Sequence, residues 1–183
     1  MWRRWHERDG TDYHDGGRAG VATRRHAWRD GDPHSVKENV HPAQRLPTVK
    51  NIEIEGRSRG KRDYIELVQT MQSVFEGVLI RRCRHGIHLV ERNRNVLISR
   101  TPSLYHNTGV GVFLDGVNLH VFNIAGSHIS YNRLGGIRIE RSEIRNLQIT
   151  GNDIEYNNHA AHDTEPEPTA EIHVDVSEPW ASV

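Results

Sequence analysis

A single cysteine, Cys83, stands in 183 residues, which excludes an intramolecular disulfide and a zinc site built on several thiolates. Charge of one sign is missing too. Twenty-four Lys and Arg balance 24 Asp and Glu, so no global field draws the chain to nucleic acid or to an anionic membrane; nucleic acid is not expected as a partner, and any binding must come from a local site. Long apolar runs are absent: no window approaches the roughly 18 apolar residues of a membrane-spanning helix. The opening MWRRWHERDG is charged, but no apolar stretch of the signal-peptide kind follows it. A mean hydropathy of −0.71 together with 16 Gly argues against a helical bundle and for many short strands joined by turns.

What is present divides near residue 49. Residues 1–48 hold only Val21, Val36, Val40 and Leu46 among their Ile, Leu, Val and Phe positions, too few for a core, and are expected to be largely disordered. Trp2, Trp5 and Trp28 of this segment are candidates to cap the next region. His6, His14, His26, His34 and His41 are candidate metal ligands without a helical or strand spacing.

From residue 49 to 183 the text repeats itself. GIHL at Gly86, GVFL at Gly111 and GIRI at Gly136 are spaced 25 residues apart, EIHV at Glu171 follows after an insertion, and YIEL at Tyr64 is an earlier, shorter member. The same offset predicts further files: Leu97, Phe122 and Leu147; Ser99, Ile124 and Ile149; Leu79, Leu104, Ile129 and Ile154; and His106, Tyr131 and Tyr156, an aromatic stack. Asn107, Asn132 and Asn157 form a ladder in which asparagine is expected to supply both a left-handed corner and coil-to-coil amide hydrogen bonds.

Alternation within these segments turns Ile87, Leu89, Val112, Leu114, Ile137, Ile139, Ile172 and Val174 inward. A 25-residue unit of three strands cannot close a sheet within itself, so each strand must pair in parallel with its equivalent one repeat away. The expected fold is all-β: a parallel β-helix solenoid of about four to five coils over 49–183, with the ending VDVSEPWASV suggesting truncation of a longer chain and open coil edges that invite end-to-end association.

SHISYNRLGGIRIE and LQITGNDIEYNN resemble the right-handed parallel β-helix family, the pectate-lyase-like and NosD-like repeat proteins. Stacking would place outward residues in columns about 4.8 Å apart. One column is His88, Phe113, Arg138 and His173; the next is Val90, Asp115, Glu140 and Asp175. Three adjacent carboxylates repel one another. Either a calcium ion held by Asp115, Glu140 and Asp175 relieves this, or Arg138 does so through surface ion pairs.

The resemblance implies action on an acidic polysaccharide and an extracellular or periplasmic setting. On that basis His88 and His173 become candidates for proton transfer, Arg138 a clamp for a uronate carboxylate, and Phe113 a platform for a sugar ring. The loop after Asn157, with His159, His162, Asp163, Glu165 and Glu167, would wall the groove. RTPSLY at Arg100 and RIE at Arg138 are incomplete versions of lyase and polygalacturonase elements. The alternative is a non-catalytic spacer or adhesion segment.

Overall fold

The structure, a computed structural model, describes residues 46–56, 62–157 and 170–175, together with the backbone of two short strands nearer the start. Every strand pairing among them is parallel, and the strands fall into three files. The first sheet contains β2 (Val21–Thr23), β5 (Ile65–Val68), β8 (Ile87–Asn93), β11 (Val110–Leu119), β14 (Gly135–Glu140) and β18 (Ile172–Asp175), with β15 (Glu143–Ile144) beside the end of β11. The second contains β3 (Thr48–Lys50), β6 (Val74–Glu76), β9 (Val96–Ser99), β12 (Phe122–Ala125) and β16 (Leu147–Thr150). The third contains β1 (Arg3–Trp5), β4 (Ile52–Glu55), β7 (Leu79–Arg81), β10 (Ser103–Tyr105), β13 (His128–Ser130) and β17 (Asp153–Glu155). The chain visits the three sheets in turn, so the molecule is a β-solenoid. The expected disorder of 1–48 falls mostly outside the described residues. Within that span, β1 and β2 continue the third and first files by pairing with β4 and β5.

Inward residues stack on their equivalents. Ile65, Leu67, Ile87, Leu89, Val112, Leu114, Ile137 and Ile139 from the first sheet are fully buried, as are Phe75, Ile98, Phe122 and Ile124 from the second and Ile54, Ile80, Leu104 and Ile129 from the third. Burying each such side chain contributes about 1.5–3 kcal/mol. Ile172 and Val174 keep the inward register against Ile137 and Ile139, yet they are 44% and 51% exposed. No described coil lies beyond β18 to cover them.

The first sheet follows the 25-residue register from Gly86 onward: His88, Phe113, Arg138 and His173 are successive partners. The other sheets correct the simple period. β11 carries a bulge between Asp115 and Asn118, with Gly116 left-handed at φ 59. One added residue transfers every later side chain to the opposite face. Phe122 therefore pairs with Val96 and not Leu97, and Ile124 with Ile98 and not Ser99. The register recovers at the next corner, where Leu104 meets Ile129. The preceding coil is shorter, so Leu104 pairs with Ile80 and not Leu79.

The asparagine ladder exists, for a different backbone reason than expected. The left-handed residues are its predecessors, His106, Tyr131 and Tyr156, at φ 53, 55 and 53. Their rings lie in file outside the corner, tilted by 33° at 5.4 Å from His106 to Tyr131 and stacked at 5.3 Å from Tyr131 to Tyr156. The asparagines point inward and are buried. Nδ2 of Asn107 donates to Oδ1 of Asn132, and Nδ2 of Asn132 to Oδ1 of Asn157, both at 2.8 Å. At one end the Cys83 backbone N–H donates to Asn107 Oδ1; at the other, the Glu171 carboxylate accepts from Asn157 Nδ2. The Cys83 thiol is buried and its pKa is pushed up to about 12 by desolvation, so it stays protonated and unreactive near neutral pH.

Candidate functional site

Because strands of the first sheet alternate in and out, residues 88, 113, 138 and 173 all project from one face, and 115, 140 and 175 form the parallel file two residues along. Strand spacing sets His88 and His173 three steps apart, about 14 Å. They lie on one track but cannot serve one reacting atom. Arg138 and Phe113 are adjacent partners between them.

The acid file is neutralised by arginine. Glu140 is ion-paired with Arg138 on its own strand, and Asp115 with Arg141 from the next coil. Glu140 and Asp175 are register partners. A cation bound by Asp115, Glu140 and Asp175 would therefore compete with two guanidinium groups.

The most organised part of this face lies at His88, and three of its contributors escape the repeat reading. Asp63 precedes β5 as His85 precedes the Gly86 strand, so the alignment of YIEL with GIHL is the signal that would have found them. The Asp63 side chain is only 5% exposed. Its Oδ1 accepts from the His85 backbone N–H at 2.9 Å and from Arg84 Nε at 3.1 Å; Arg84 also pairs with Oδ2. Burial pushes the Asp63 pKa up, but the hydrogen bonds from His88 and Arg84 and the neighbouring His85 outweigh it and hold the carboxyl well below the usual range. Asp63 is thus an ionised, acceptor-only group.

His88 Nδ1 lies 3.0 Å from Asp63 Oδ2, so Nδ1 must carry the proton donated there. In the neutral ring, Nε2 then presents a lone pair. That atom is buried without a hydrogen-bond partner among the described residues; the closest carboxylate oxygen is Asp115 Oδ2 at 3.9 Å. The ring stacks on Phe113 at 5.2 Å with planes 5° apart, which fixes its orientation. His85 packs against both rings, at 5.1 and 5.0 Å. Its Nδ1 accepts from the Val110 backbone N–H at 3.0 Å, and burial lowers its pKa to about 4. His85 is therefore neutral near pH 7, with its proton on Nε2, and offers no free lone pair.

His88 thus has an ionised carboxylate behind one nitrogen and, on the other, no hydrogen-bond partner among the described residues, the arrangement that orients an imidazole for a metal ion or for proton transfer. Asp115 is close enough that an ion with bonds of about 2 Å would reach both groups. The loop residues His159, His162, Asp163, Glu165 and Glu167 and the histidines of 1–45 lie outside the described residues.

Register and core together define a parallel β-helix repeat protein. Its family follows from comparison. The family model described as Periplasmic copper-binding protein (NosD) matches residues 34–173, and the chain belongs to the NosD family. No curated protein and no solved structure matches it well enough to add to that. Among the described residues no helix is long and apolar enough to cross a membrane.

Proposed function

We propose that this chain is a copper(II)-binding β-helix domain and that its centre is the Asp63–His88–Asp115 line on the first sheet. The observation that carries this is the orphaned Nε2 of His88, buried beside a carboxylate and held by a second carboxylate on Nδ1. Imidazole and carboxylate donors suit copper(II), and leaving such a nitrogen buried without a partner costs about 1–3 kcal/mol. A bound ion removes that cost. The family's description supports the same metal and a periplasmic setting.

Titration with copper(II), followed by electron paramagnetic resonance, is expected to show nitrogen coupling from one ring at this centre. His88→Gln should weaken that component at least 100-fold. Asp63→Asn should weaken it about 10- to 100-fold, the usual effect of losing a carboxylate behind a metal-bound histidine. Copper bound equally well by folded His88→Gln would end the proposal and direct attention to the histidines of 1–45.

A second reading rests on the adjacency of Phe113 and Arg138 on the same outward track. There an acidic polysaccharide would lie along the rod, a ring on Phe113 and a uronate carboxylate on Arg138 in exchange for Glu140, with His88 and His173 at the flanks and calcium at Asp115, Glu140 and Asp175. If calcium binds there, it should raise the unfolding temperature of the parent protein, and Glu140→Gln should abolish the rise. No rise in the parent removes calcium. A uronate panel giving neither binding nor unsaturated products removes the polysaccharide and leaves the role of spacer or adhesion segment, which end-to-end association through the exposed Ile172 and Val174 edge would serve.

A further inference from the structure

The third sheet shows one carboxylate pattern twice on its outward face. Glu53 and Glu55 stand two residues apart on β4; Asp153 and Glu155 do so on β17. In the first instance Arg81, from the next coil, reaches both: one guanidinium nitrogen is 2.9 Å from Glu53 Oε1 and 3.3 Å from Glu55 Oε2. In this instance a positive charge is held between the two acids.

In the second instance the preceding coil places Ser130, not an arginine, opposite Glu155. His128 on β13 is the register partner of Asp153. Its Nε2 lies 3.8 Å from Asp153 Oδ2 and 3.6 Å from Glu155 Oε1, too far for a hydrogen bond. The atom itself is shielded and has no hydrogen-bond partner among the described residues, although the His128 side chain as a whole is 38% exposed. One donor atom from each of the three groups lies within 4.8 Å of the other two. Points so spaced share a centre no farther than about 2.8 Å from each, which a small closing movement of the side chains brings to metal–ligand bonding distance.

We infer that His128, Asp153 and Glu155 bind a divalent transition-metal ion, zinc(II) or manganese(II) in class, which bridges two coils and takes the place that Arg81 holds between Glu53 and Glu55. The nitrogen donor selects against calcium and magnesium, which favour all-oxygen shells. Two carboxylates cancel the ion's charge, and the exposure of Asp153 leaves positions for water, so the ion exchanges with solvent. The site shares no residue with the His88 centre and stands or falls independently of it.

The test uses the full chain carrying His88→Gln, so that the first centre is out of play, and follows the His128 ring proton signals by NMR, identified by their loss in His128→Gln. Sub-stoichiometric manganese(II) should broaden them selectively, and zinc(II) should shift them, with Glu155→Gln weakening the zinc effect at least 10-fold. A protonated His128 acting as a plain ion pair gives the opposite result: ring signals that titrate with pH and ignore both metals. That outcome overturns the inference, as does a zinc response unchanged in Glu155→Gln.

Discussion

Asn132→Ala is expected to lower the thermal unfolding midpoint by about 6–20 °C. The side chain is fully buried, and its amide is used from both ends. Oδ1 accepts from Asn107 Nδ2 at 2.8 Å and from the Asn107 backbone N–H at 3.3 Å, while Nδ2 donates to the Leu104 carbonyl at 2.9 Å and to Asn157 Oδ1 at 2.8 Å. Alanine deletes the bridge and strands buried partners in the coils on either side. At about 1–3 kcal/mol for each unsatisfied group, with partial relaxation, the loss comes to roughly 3–5 kcal/mol. A domain of this size moves about 2–4 °C per kcal/mol. Asn132→Asp should not rescue it, because a carboxylate cannot donate to Leu104 or to Asn157. Asn123→Ala is the control: Asn123 makes a solvent-exposed amide contact with Gln148, and its loss should cost under about 1 kcal/mol. Calorimetry on the three variants decides the matter, and an Asn132→Ala midpoint within 3 °C or so of the parent would show that the ladder is ornamental.

Gly111→Ala is expected to cost about 3–5 kcal/mol in chemical denaturation and to reduce soluble yield. The reason is proximity. A β-carbon there would meet Ile129 Cγ2 at 2.5 Å, the Gly136 carbonyl oxygen at 2.8 Å and Asn132 Nδ2 at 2.9 Å. Two of these belong to backbone or to the buried ladder and cannot retreat without prising adjacent coils apart. Gly136 repeats the situation one coil on, against the Glu171 carbonyl oxygen at 2.5 Å and Ile154 Cγ2 at 2.7 Å. Gly116→Ala makes the contrast. It has the left-handed φ of 59 but nothing within 4 Å of the added carbon, so only the backbone preference is lost, about 1 kcal/mol. Equal effects at Gly111 and Gly116 would mean that conformation, not inter-coil spacing, selects glycine in the file.

The two substitutions probe the same corner from different sides. Asn107, Asn132 and Asn157 fill the inside, while the backbone at Gly86, Gly111 and Gly136 passes close to the following coil. His106, Tyr131 and Tyr156 absorb the left-handed turn and leave their rings outside. The periodic text marks all three columns, but their duties differ from a reading by residue type. Asparagine suggests the turn, yet its amide is needed within, where no solvent can satisfy the strand ends, and so the residue before it must turn.

Much of the candidate site was legible in the same way. The outward columns from His88 to His173 and from Val90 to Asp175 follow from spacing and alternation alone, and their register holds. Asp63 was not legible, because the first coil is shorter and the 25-residue offset passes over it, and His85 was not, because the same offset matches it with Val110 and Gly135, which share no chemistry with it. Arg141 also escaped: it lies outside the alternating stretch, and only the turn after β14 brings it to Asp115. His128 and Asp153 do share the period, and Glu155 shares their face, but nothing in the text distinguishes them from solvated polar residues until Arg81 is seen held between the equivalent carboxylates elsewhere.

The sequence by itself determined that this is a stack of three-stranded coils, since a hydrophobic alternation that recurs at one fixed interval can bury its apolar side only by pairing with its own copies. It also determined which residues line each outward column of the first sheet. Tertiary structure alone decided the bulge in β11, the compensating corner beyond it, and which nitrogen of His88 faces the Asp63 carboxylate. These depend on where the backbone absorbs a single extra residue and on which carboxylate comes close from another coil, quantities that no local pattern encodes.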